Sequence, residues 1–519
     1  MPYDYRRQPY ETPAPLRRGE AEERLGVAIV GAGPIGLALA VDLAMRGVAS
    51  VVFDDNDVVS LGSRAICWAK RSLEILDRLG VGERMAEKGV TWKVGRTYRG
   101  EEEVWSFDLL PEEGHKMPAF VNLQQYYVEE YLIERARDFP DLIELRFLNK
   151  VEGVTRDGRA RVSTPEGEYG IAADWIVACD GAKSPIREGL GLEFLGERFE
   201  ERFLIADITM KSDFPAERRF WFEPPFHEGQ SALLHKQPDD LWRIDLQLGP
   251  EADPEHEKRP EVVIPRIRRI VGDAPFELDW VSVYSFQCRR LERFRHDRVI
   301  FCGDSAHVVS PFGARGGNGG LQDVDNLGWK LARVQRGEAP EALLESYDAE
   351  RVQAADENLT NSARATRFMT PEPGAERWFR DAVLDLAAEA PFARAMVNSG
   401  RLSRPRVYAG SPLSGPDDPA LPEVSRPGAP APDAPFGEGW LLNALAPGFT
   451  LLVFGGEAHL PGATTVVAPE GAALRARYVG GAERAIYLIR PDQHVAARWT
   501  AWDKGAAAEA LARATGGAA

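Results

Sequence analysis

The sequence predicts an α/β protein in which a domain that opens with a strand–turn–helix unit is accompanied by a β-sheet domain and followed by a smaller C-terminal unit. Three observations support this prediction. A glycine-rich turn joins an apolar strand to an apolar helix near the start, alternation of apolar and polar residues dominates the middle, and a proline-rich segment precedes the last part. At about 150 residues per domain, the 519 residues have room for roughly three such units.

Composition excludes several classes of protein. Hydrophobic residues make up 44% and charged residues 28% of the chain, which is typical of a soluble globular protein. The net charge of −17 argues against nucleic acid as a partner. The four cysteines form no CxxC pair, so we predict no metal site and a reducing, cytoplasmic location. The first residues contain no apolar signal segment and no stretch predicts a membrane span.

The first element is a strand–turn–helix unit over residues 27–45. Gly31 permits a tight turn, Gly33 lets backbone N–H groups approach a pyrophosphate, and Gly36 lets the helix pack on the strand. A second apolar run ends in Asp54, where an acid would bind a ribose. This spacing predicts dinucleotide binding, and it does not by itself separate FAD from NAD.

Two further motifs follow predicted strands. Asp180-Gly181 ends one strand, and Gly303-Asp304 ends another. The glycine-rich loop 311–320 then leads into an amphipathic helix. Asp304 could accept hydrogen bonds from polyol hydroxyls, and the N–H groups of residues 316–318 could stabilise negative charge on a ligand ring.

These motifs, in this order, resemble those of the FAD-dependent aromatic hydroxylases, the group A flavoprotein monooxygenases. Residues 311–331 match the family pattern P-x-G-x-x-G-x-N-x-G-x-x-D-x-x-N-L-x-W-K-L almost throughout. The resemblance implies a Rossmann-like FAD-binding domain, a β-sheet substrate domain and a thioredoxin-like C-terminal domain like that of the phenol hydroxylase-type members. The predicted boundaries are 1–190 for the first FAD-binding part with a polar arm 1–26, 191–298 for the substrate domain, 299–400 for the second FAD-binding part and helices, 401–439 for a proline-rich linker, and 440–519 for the thioredoxin-like domain.

The resemblance also implies roles for individual residues. The glycines would surround the FAD pyrophosphate, Asp54 would hold the adenosine ribose, and Asp304 the ribityl chain or pyrophosphate. Arg64 and Gln125 match family residues near the ribityl chain, and the Asp180 region would serve both FAD and NAD(P)H. The implied cofactor-binding residues are Gly31, Gly33, Pro34, Ile35, Gly36, Asp54, Asp55, Arg64, Gln125, Asp180, Gly303, Asp304, Pro311, Arg315, Gly316, Gly317 and Asn318.

Two positions depart from the family pattern. The family usually has Gly-Gln where this chain has Ala314-Arg315. Arg315 could place a fixed cation near the flavin pyrimidine edge or near an incoming nicotinamide phosphate, or it could be a solvent-exposed residue at the loop tip. Asp54 replaces the more usual glutamate, a shorter side chain that we expect to leave ribose binding intact.

The substrate domain should select the substrate. Residues 241–248 alternate, with Arg243, Asp245 and Gln247 on one face. As catalytic candidates we name Arg243, His235 as a base for a phenol, and Tyr284 as a hydrogen-bonding partner of a phenolic oxygen. For each, a role in the core or on a sheet face is the alternative, and we expect His307 to be structural. The candidate pocket residues are Trp221, Phe222, His235, Arg243, Gln247, Tyr284 and Phe286.

The implied activity is hydroxylation of a phenolic ring, as in aromatic catabolism. NADPH or NADH would reduce FAD, and O₂ would add at C4a to give the hydroperoxyflavin that transfers OH. The alternatives are a flavoprotein dehydrogenase or quinone reductase, a halogenase, whose usual WxWxIP sequence is absent, and a flavoprotein that never turns over. No cysteine follows Cys302, so the last domain cannot perform dithiol chemistry. Packing or assembly of a homodimer is its expected role.

Overall fold

The computed structural model describes residues 3–62, 64–227, 229–398 and 402–517, so the predicted boundary between residues 400 and 401 lies outside the described residues. The first part of the chain contains eleven strands and six helices. Its strands are β1 (Glu22–Val30), β2 (Ser50–Phe53), β3 (Cys67–Ala69), β4 (Val90–Trp92), β5 (Val94–Arg99), β6 (Glu102–Asp108), β7 (Phe120–Asn122), β8 (Ile143–Arg146), β9 (Lys150–Glu152), β10 (Arg159–Thr164) and β11 (Gly167–Ala178). Its helices are α1 (Ala14–Arg18), α2 (Pro34–Met45), α3 (Lys70–Arg78), α4 (Gly82–Lys88), α5 (Gln125–Ala136) and α6 (Pro185–Gly189).

The remainder of the chain supplies a second sheet, a helical region and a C-terminal unit. The strands are β12 (Leu195–Thr209), β13 (Arg218–Phe222), β14 (Ser231–Lys236), β15 (Leu241–Gln247), β16 (Glu277–Arg290), β17 (Arg295–His296), β18 (Val299–Phe301), β19 (His307–Val308), β20 (Pro435–Phe436), β21 (Gly439–Trp440), β22 (Thr450–Phe454), β23 (Thr464–Val467), β24 (Ala485–Ile489) and β25 (Val495–Trp499). The helices are α7 (Pro254–Glu257), α8 (Pro260–Val271), α9 (Gly316–Gln335), α10 (Glu345–Met369), α11 (Ala375–Glu389), α12 (Pro391–Arg394), α13 (Leu441–Ala444), α14 (Ala472–Leu474) and α15 (Lys504–Ala514).

The first sheet has the order β17-β18-β11-β1-β2-β8, and β9 and β10 extend it through β11. Its central neighbours run parallel, with β1 between β11 and β2. The glycine-rich start of α2 directly follows β1, and α2 packs against α5 and α9. Parallel strands buried by helices explain why these strands read as continuous apolar runs in the sequence.

The second sheet has the order β19-β16-β12-β15-β14-β13-β5-β6. Two of its strands, β5 and β6, come from a stretch of the chain that the sequence places in the first FAD-binding part. β5 joins the sheet by parallel pairing with β13, a long-range contact that no local pattern predicts. The outer face is covered by α8, whose Val263 and Ile267 pack among apolar residues of β12, β14 and β15.

The opposite, inner face of this sheet points toward the first sheet and the helices that follow α9. Phe222 of β13 contacts Phe368 of α10, with 5.7 Å between ring centroids. Val383 and Leu384 of α11 belong to the same apolar cluster. The helices α10 to α12 therefore cover part of the inner face.

The C-terminal unit is a four-stranded sheet of order β23-β22-β24-β25. β22 and β23 are parallel, and the other two neighbouring pairs are antiparallel. The segment predicted as a linker packs on this sheet: Gly415 N–H donates to Ala496 O at 2.7 Å, and Gly428 N–H donates to Val495 O at 2.8 Å. Because Tyr408 and Leu413 are buried there, this segment is an ordered part of the C-terminal unit and not a free spacer.

The N-terminal arm also differs from the sequence expectation. β1 begins at Glu22, within the predicted arm. Tyr3 packs on Tyr126 with 4.1 Å between ring centroids, and the hydroxyl of Tyr5 accepts a hydrogen bond from Gly62 N–H at 3.1 Å. The described part of the arm therefore lies against the protein surface. Across the described ranges, we find no helix with the length and apolar character needed to cross a membrane.

Candidate functional site

The predicted cofactor motifs meet at the carboxyl edge of the first sheet. Gly31, Asp180 and Gly303 follow the neighbouring strands β1, β11 and β18 closely, and Asp54 directly follows β2. Ile35 lies against Gly303, since a Cβ added at that glycine would be 3.1 Å from the Ile35 side chain. Motifs far apart in sequence therefore form one site, because parallel strands carry their carboxyl ends to the same edge.

Two glycines in the first turn cannot be replaced without displacing backbone. Gly31 has φ +110°, and a Cβ there would be 2.4 Å from Cys179 O of the neighbouring strand. A Cβ at Gly36 would be 2.0 Å from Gly31 O. Pro34 opens α2, and the first intrahelical bond runs from Leu37 N–H to Gly33 O. The N–H groups before that bond are available to an anion.

Asp54 holds the shape of the turn. Its Oδ2 accepts a hydrogen bond from Ala32 N–H at 2.7 Å, and its Oδ1 accepts one from Asn56 N–H at 2.8 Å. Burial raises the pKa of this carboxyl group. The shorter aspartate thus bonds to the backbone of the glycine-rich turn, whereas the neighbouring Asp55 is exposed.

Gln125 fixes the segment that follows Asp54. Its Oε1 accepts a hydrogen bond from Ala65 N–H at 3.2 Å, and its Nε2 donates to Ser60 Oγ at 2.8 Å. Glu129, one turn later on α5, accepts from the Ser60 N–H and hydroxyl, at 2.6 Å each. Arg64 stands exposed between these anchored positions.

The Asp180 carboxylate caps α6. Its Oδ2 accepts from the Ser184 hydroxyl at 2.7 Å and from Ile186 N–H at 3.3 Å, while its buried Oδ1 has no hydrogen-bond partner among the described residues. Burial raises the pKa of Asp180. The Arg187 guanidinium carbon lies 3.9 Å from the centroid of the Phe194 ring, and this contact stabilises the end of the motif.

Asp323 supports the Gly303-Asp304 motif through a hydrogen bond and two ion pairs. The Asp323 Oδ2 accepts from Gly303 N–H at 3.0 Å and pairs with His307 Nε2 at 2.7 Å, and its Oδ1 pairs with Arg351 Nε at 2.6 Å. The buried His307 thus lies within this support of the motif. Asp304 is exposed, and none of the described residues gives its carboxylate a hydrogen bond.

The start of α9 lies beside Asp304, whose Oδ1 would be 3.8 Å from a Cβ at Gly316. The first bond of this helix runs from Gly319 N–H to Arg315 O at 2.8 Å, so the N–H groups of residues 316–318, including Gly317, precede it. The Asn318 side chain is fully used: it accepts from Ala69 N–H and donates to Cys67 O, both at 2.8 Å. The helix end is thereby fixed, and the N–H groups that precede its first bond can favour an anion.

Arg315 and Pro311 flank this helix end. Arg315 is 5% exposed, and its guanidinium donates to Asn358 Oδ1 at 2.7 Å and to Leu402 O at 3.4 Å. The loop-tip alternative is therefore wrong, because the side chain is buried beneath the loop. Pro311 is exposed in the same loop.

An aromatic part of the second sheet's inner face lies next to this loop. Phe203 and Phe286 are 4.8 Å apart between ring centroids, and Phe312 of the loop lies 5.0 Å and 5.3 Å from them. Phe286, a predicted pocket residue, is thus on the inner face. The loop that carries the α9 end and the substrate sheet are joined by apolar packing.

A polar part of the same face lies further along the sheet. We call the residues Asp207, Arg218, His235, Arg243 and Asp245 the inner-face polar cluster. Arg243 Nη1 donates to Arg64 O at 2.8 Å, and Arg243 Nε lies 3.4 Å from Asp207 Oδ1. Strand register places His235 directly opposite Arg243. The cluster therefore contacts the segment that Gln125 anchors.

The surroundings of His235, the predicted base, make its imidazole a weak base. It is buried, and its Nδ1 lies 4.0 Å from the Cys67 sulfur. Burial, with Arg218 and Arg243 nearby, holds the pKa of His235 well below its usual range. The imidazole is therefore neutral near pH 7 and suited to hydrogen bonding.

The other predicted pocket residues are divided between the two faces. Tyr284 is on the inner face and exposed. Gln247 is on the inner face, but its Oε1 already accepts from Ser231 N–H and hydroxyl, at 3.0 Å each. Phe222 packs under α10. Trp221 is wrong as a pocket residue: it pairs with Ala232 on the outer face and stacks on Tyr98 at 5.3 Å.

Sequence reasoning missed Arg218, Asp207 and Cys67 as members of this region. Asp245, which was not named as a candidate either, did have a signal in the sequence, because it alternates with Arg243 and Gln247. Arg218 and Asp207 lie on strands whose order in the sheet is set by long-range pairing. Their convergence was not readable from local patterns.

Comparison with known proteins agrees with this geometry. Residues 24–362 match the family described as "FAD binding domain". A protein named flavin-dependent monooxygenase from Mycobacteroides abscessus is 33% identical over 354 residues, covering 63% of this chain and 71% of the relative. A 3-(3-hydroxy-phenyl)propionate/3-hydroxycinnamic acid hydroxylase from Mycolicibacterium gilvum is 28% identical over 394 residues, covering 75% and 68%.

The fold extends the likeness to the C-terminal unit. The crystal structure of the flavin-dependent monooxygenase PieE, in complex with FAD and substrate, superposes with a TM-score of 0.78 and 22% identity. It covers 95% of this chain and 99% of the other. At this identity the match shows a shared fold over nearly the whole chain.

Proposed function

The chain belongs to the FAD-dependent aromatic hydroxylases, the group A flavoprotein monooxygenases, and from this premise we propose that it uses NAD(P)H and O₂ to hydroxylate a phenolic ring. One observation carries the proposal. A cofactor site with unpaired donors and acceptors at the carboxyl edge of the first sheet adjoins a partly aromatic, partly polar sheet face. A ring substrate would lie between them.

The residues present fit FAD. The turn at Gly31 to Gly36 and the start of α2 would hold the pyrophosphate, and Asp304 would accept hydrogen bonds from the polyol chain. Asp54 and Asp55 would lie at the adenosine ribose, and Arg64, Gln125 and Asp180 around the phosphates and ribityl chain. The N–H groups of residues 316–318 would favour negative charge on the ring system. Bound FAD would supply electron transfer from NAD(P)H and activation of O₂.

The protein residues would orient the substrate and exclude water. The Phe203, Phe286 and Phe312 rings make one side of the region apolar, which strengthens the electrostatic interactions inside it. Arg243 and His235 would fix the polar end of the substrate, and Tyr284 would hydrogen-bond a phenolic oxygen. Because the pKa of His235 is held low, we propose it as a hydrogen-bonding group and not as the base.

For the C-terminal unit we propose a thioredoxin-like fold and a structural role, including assembly of a homodimer. The mixed four-stranded sheet flanked by α15 supports this proposal. The chain has no cysteine after Cys302, so the proposed fold would not perform dithiol exchange.

The test is aerobic oxidation of NADH and of NADPH by the purified yellow protein, across a panel of phenols and hydroxybenzoates, with product masses read in parallel under labelled dioxygen. We expect a phenol that accelerates oxidation to gain one labelled oxygen atom. Acceleration with hydrogen peroxide as the only product, for every compound, would contradict the proposal. Reduction of a quinone or dye without oxygen insertion would favour the dehydrogenase alternative.

A further inference from the structure

Asp245 is the one carboxylate of the inner-face polar cluster to which no described residue donates a hydrogen bond. It lies in the middle of β15, and its Oδ1 is buried with no hydrogen-bond partner. Asp207, in contrast, pairs with Arg243 and accepts from Gln237 Nε2 at 3.5 Å. A buried acceptor without a donor is destabilising, so such a group in a native site calls for an explanation.

The position of Asp245 within the cluster suggests that explanation. Strand register places Leu233 of β14 and Ile205 of β12 opposite it, both apolar, so neither can donate a hydrogen bond. Arg243 lies two residues earlier on the same face and is already bonded to Asp207 and to Arg64 O. Although Oδ1 is buried, Asp245 as a whole is only partly buried, so part of the residue is accessible.

The same face connects Asp245 to the cofactor site. Asn318, at the start of α9, donates to Cys67 O at 2.8 Å, and the Cys67 sulfur lies 4.0 Å from His235 Nδ1. His235 is the neighbour of Arg243 across the hairpin that carries Asp245. A ring that lies between the α9 end and this hairpin would therefore present its substituents to Asp245.

We propose that Asp245 recognises a hydroxyl of the substrate: its carboxylate accepts a hydrogen bond from that hydroxyl and disfavours an acidic group in the same place. The inference rests on the proposed function and deepens it, because it names the class of substituent that the site takes. The charged and titratable groups around Asp245 are Arg243 on its own strand, Asp207 on β12, Arg218 on β13, His235 on β14 and Cys67 on β3. Burial raises the pKa of Asp245 to about 6, so the group is mainly ionised at pH 7.

The experiment measures binding to the FAD-loaded protein without NAD(P)H, by the change in flavin absorbance and fluorescence. The probes are phenol, anisole and benzoate, and the same three substituents on naphthalene. We expect the unmodified protein to bind the hydroxyl compound about tenfold or more tightly than its methyl ether, since a hydrogen bond to a charged group has that worth. Benzoate should bind more weakly than phenol.

The variants separate recognition from structure. Asp245→Leu should reduce the difference between hydroxyl compound and ether to less than about threefold. Asp245→Asn should bind benzoate more tightly than the unmodified protein, a gain that structural damage would not produce. The control Asp240→Asn makes the same change at an exposed turn position of the same hairpin and should leave all affinities unchanged.

Two results would overturn the inference: equal binding of hydroxyl compound and ether by the unmodified protein in both series, or unchanged affinities in Asp245→Asn. Failure of the proposed function is a different result. In that case the binding pattern holds, but no phenol gains oxygen during NAD(P)H oxidation.

Discussion

At the scale of single residues, Asp304 is distinguished from the other carboxylates of the cofactor site by its lack of a described partner. Asp54 and Asp180 accept backbone hydrogen bonds, and Asp323 carries three bonds that support the motif. Asp304 is exposed beside the start of α9. We therefore propose that Asp304 binds the ligand directly, and that the hydrogen bonds of Asp54 and Asp180 also shape the site.

Asp304→Ala is expected to abolish tight FAD binding. Loss of a charged acceptor for two hydroxyls should weaken binding by about 100-fold or more. Flavin content after purification and a titration of the apoprotein with FAD measure the effect. Glu292→Ala, at an exposed position before β18, is the control and should keep its flavin. Full, tightly bound FAD in Asp304→Ala would remove Asp304 from the polyol site.

At the scale of elements, the start of α9 depends on a single side chain. Asn318 bonds the helix end to β3 through Ala69 N–H and Cys67 O, and to its own loop through Ala314 O at 2.6 Å. Since Asn318 is 1% exposed, water cannot replace these bonds. The position of the helix N–H groups therefore depends on this residue.

Asn318→Ala should lower the free energy of unfolding by about 2–4 kcal/mol, because buried backbone groups of β3 lose their partners. The flavin absorption spectrum should shift as well, since the adjacent N–H groups move. Thermal unfolding and the spectrum of the FAD-bound protein are the measurements. Asn361→Ala on α10 is the matched control, because among the described residues its side chain donates to Glu357 O of its own helix. Unchanged stability and spectrum would mean that the helix end is fixed by other contacts.

The N-terminal arm is a second element with a defined task. Arg7 Nη1 donates to Asp57 Oδ2 at 2.8 Å, Gln8 N–H donates to Asp57 O at 2.6 Å, and Gly62 N–H donates to the Tyr5 hydroxyl. These contacts hold the segment between Asp54 and Arg64, which lies beside the predicted ribose and phosphate positions. The arm thus stabilises one wall of the cofactor site.

Removal of residues 1–12 should weaken FAD binding by about three- to tenfold, because the bound segment becomes more mobile before the ligand arrives. Titration of the apoprotein with FAD measures this effect. The single change Tyr5→Phe removes only the hydroxyl bond to Gly62 and should give a smaller loss. Identical affinities for the shortened and complete chains would show that the arm has no part in FAD binding.

At the scale of the whole molecule, a buried ionic network joins the first sheet region to the C-terminal unit. Glu350 of α10 pairs with Lys330 of α9 at 2.8 Å and with Arg490 of the C-terminal unit at 2.5 Å. Arg490 also bonds to Asp492, which accepts from Trp329 Nε1 at 3.1 Å. All five side chains are buried. The C-terminal unit is therefore an integral part of the fold.

This network predicts that the free energy of unfolding decreases at acidic pH. Arg490 and Lys330 hold the pKa of Glu350 below its ordinary value of 4.5. A depressed carboxyl pKa contributes stability above the unfolded value, and that contribution is lost as pH falls from about 4.5 toward the folded value. Thermal unfolding between pH 7 and pH 3 should show this loss.

Glu350→Gln should lower stability at pH 7 by about 3–5 kcal/mol, since it leaves Lys330 and Arg490 undercompensated, and should reduce the acid dependence. Glu338→Gln, an exposed pair partner of Arg336, is the control and should change neither property. A variant at Glu350 with the stability and acid profile of the unmodified protein would show that the network does not hold the units together.

Local sequence patterns were sufficient to predict the cofactor-binding motifs. The turn at Gly31 needs a positive φ, the strands before Asp54, Asp180 and Asp304 are continuous apolar runs, and the helix after residue 316 has clear periodicity. Each of these properties depends on neighbouring residues only. The sequence therefore determined the motifs, their order and, by resemblance, the enzyme family.

Contacts between distant segments determined the features that the local patterns did not predict. The addition of β5 and β6 to the substrate sheet, the outward position of Trp221 and the burial of Arg315 depend on which strands and loops meet. The same holds for Asp245, whose alternation placed it on a face but could not show that the residues directly opposite it, Ile205 and Leu233, lack donors. Contacts between distant segments cost chain entropy and are settled only by packing of the whole fold, so a local pattern does not contain them.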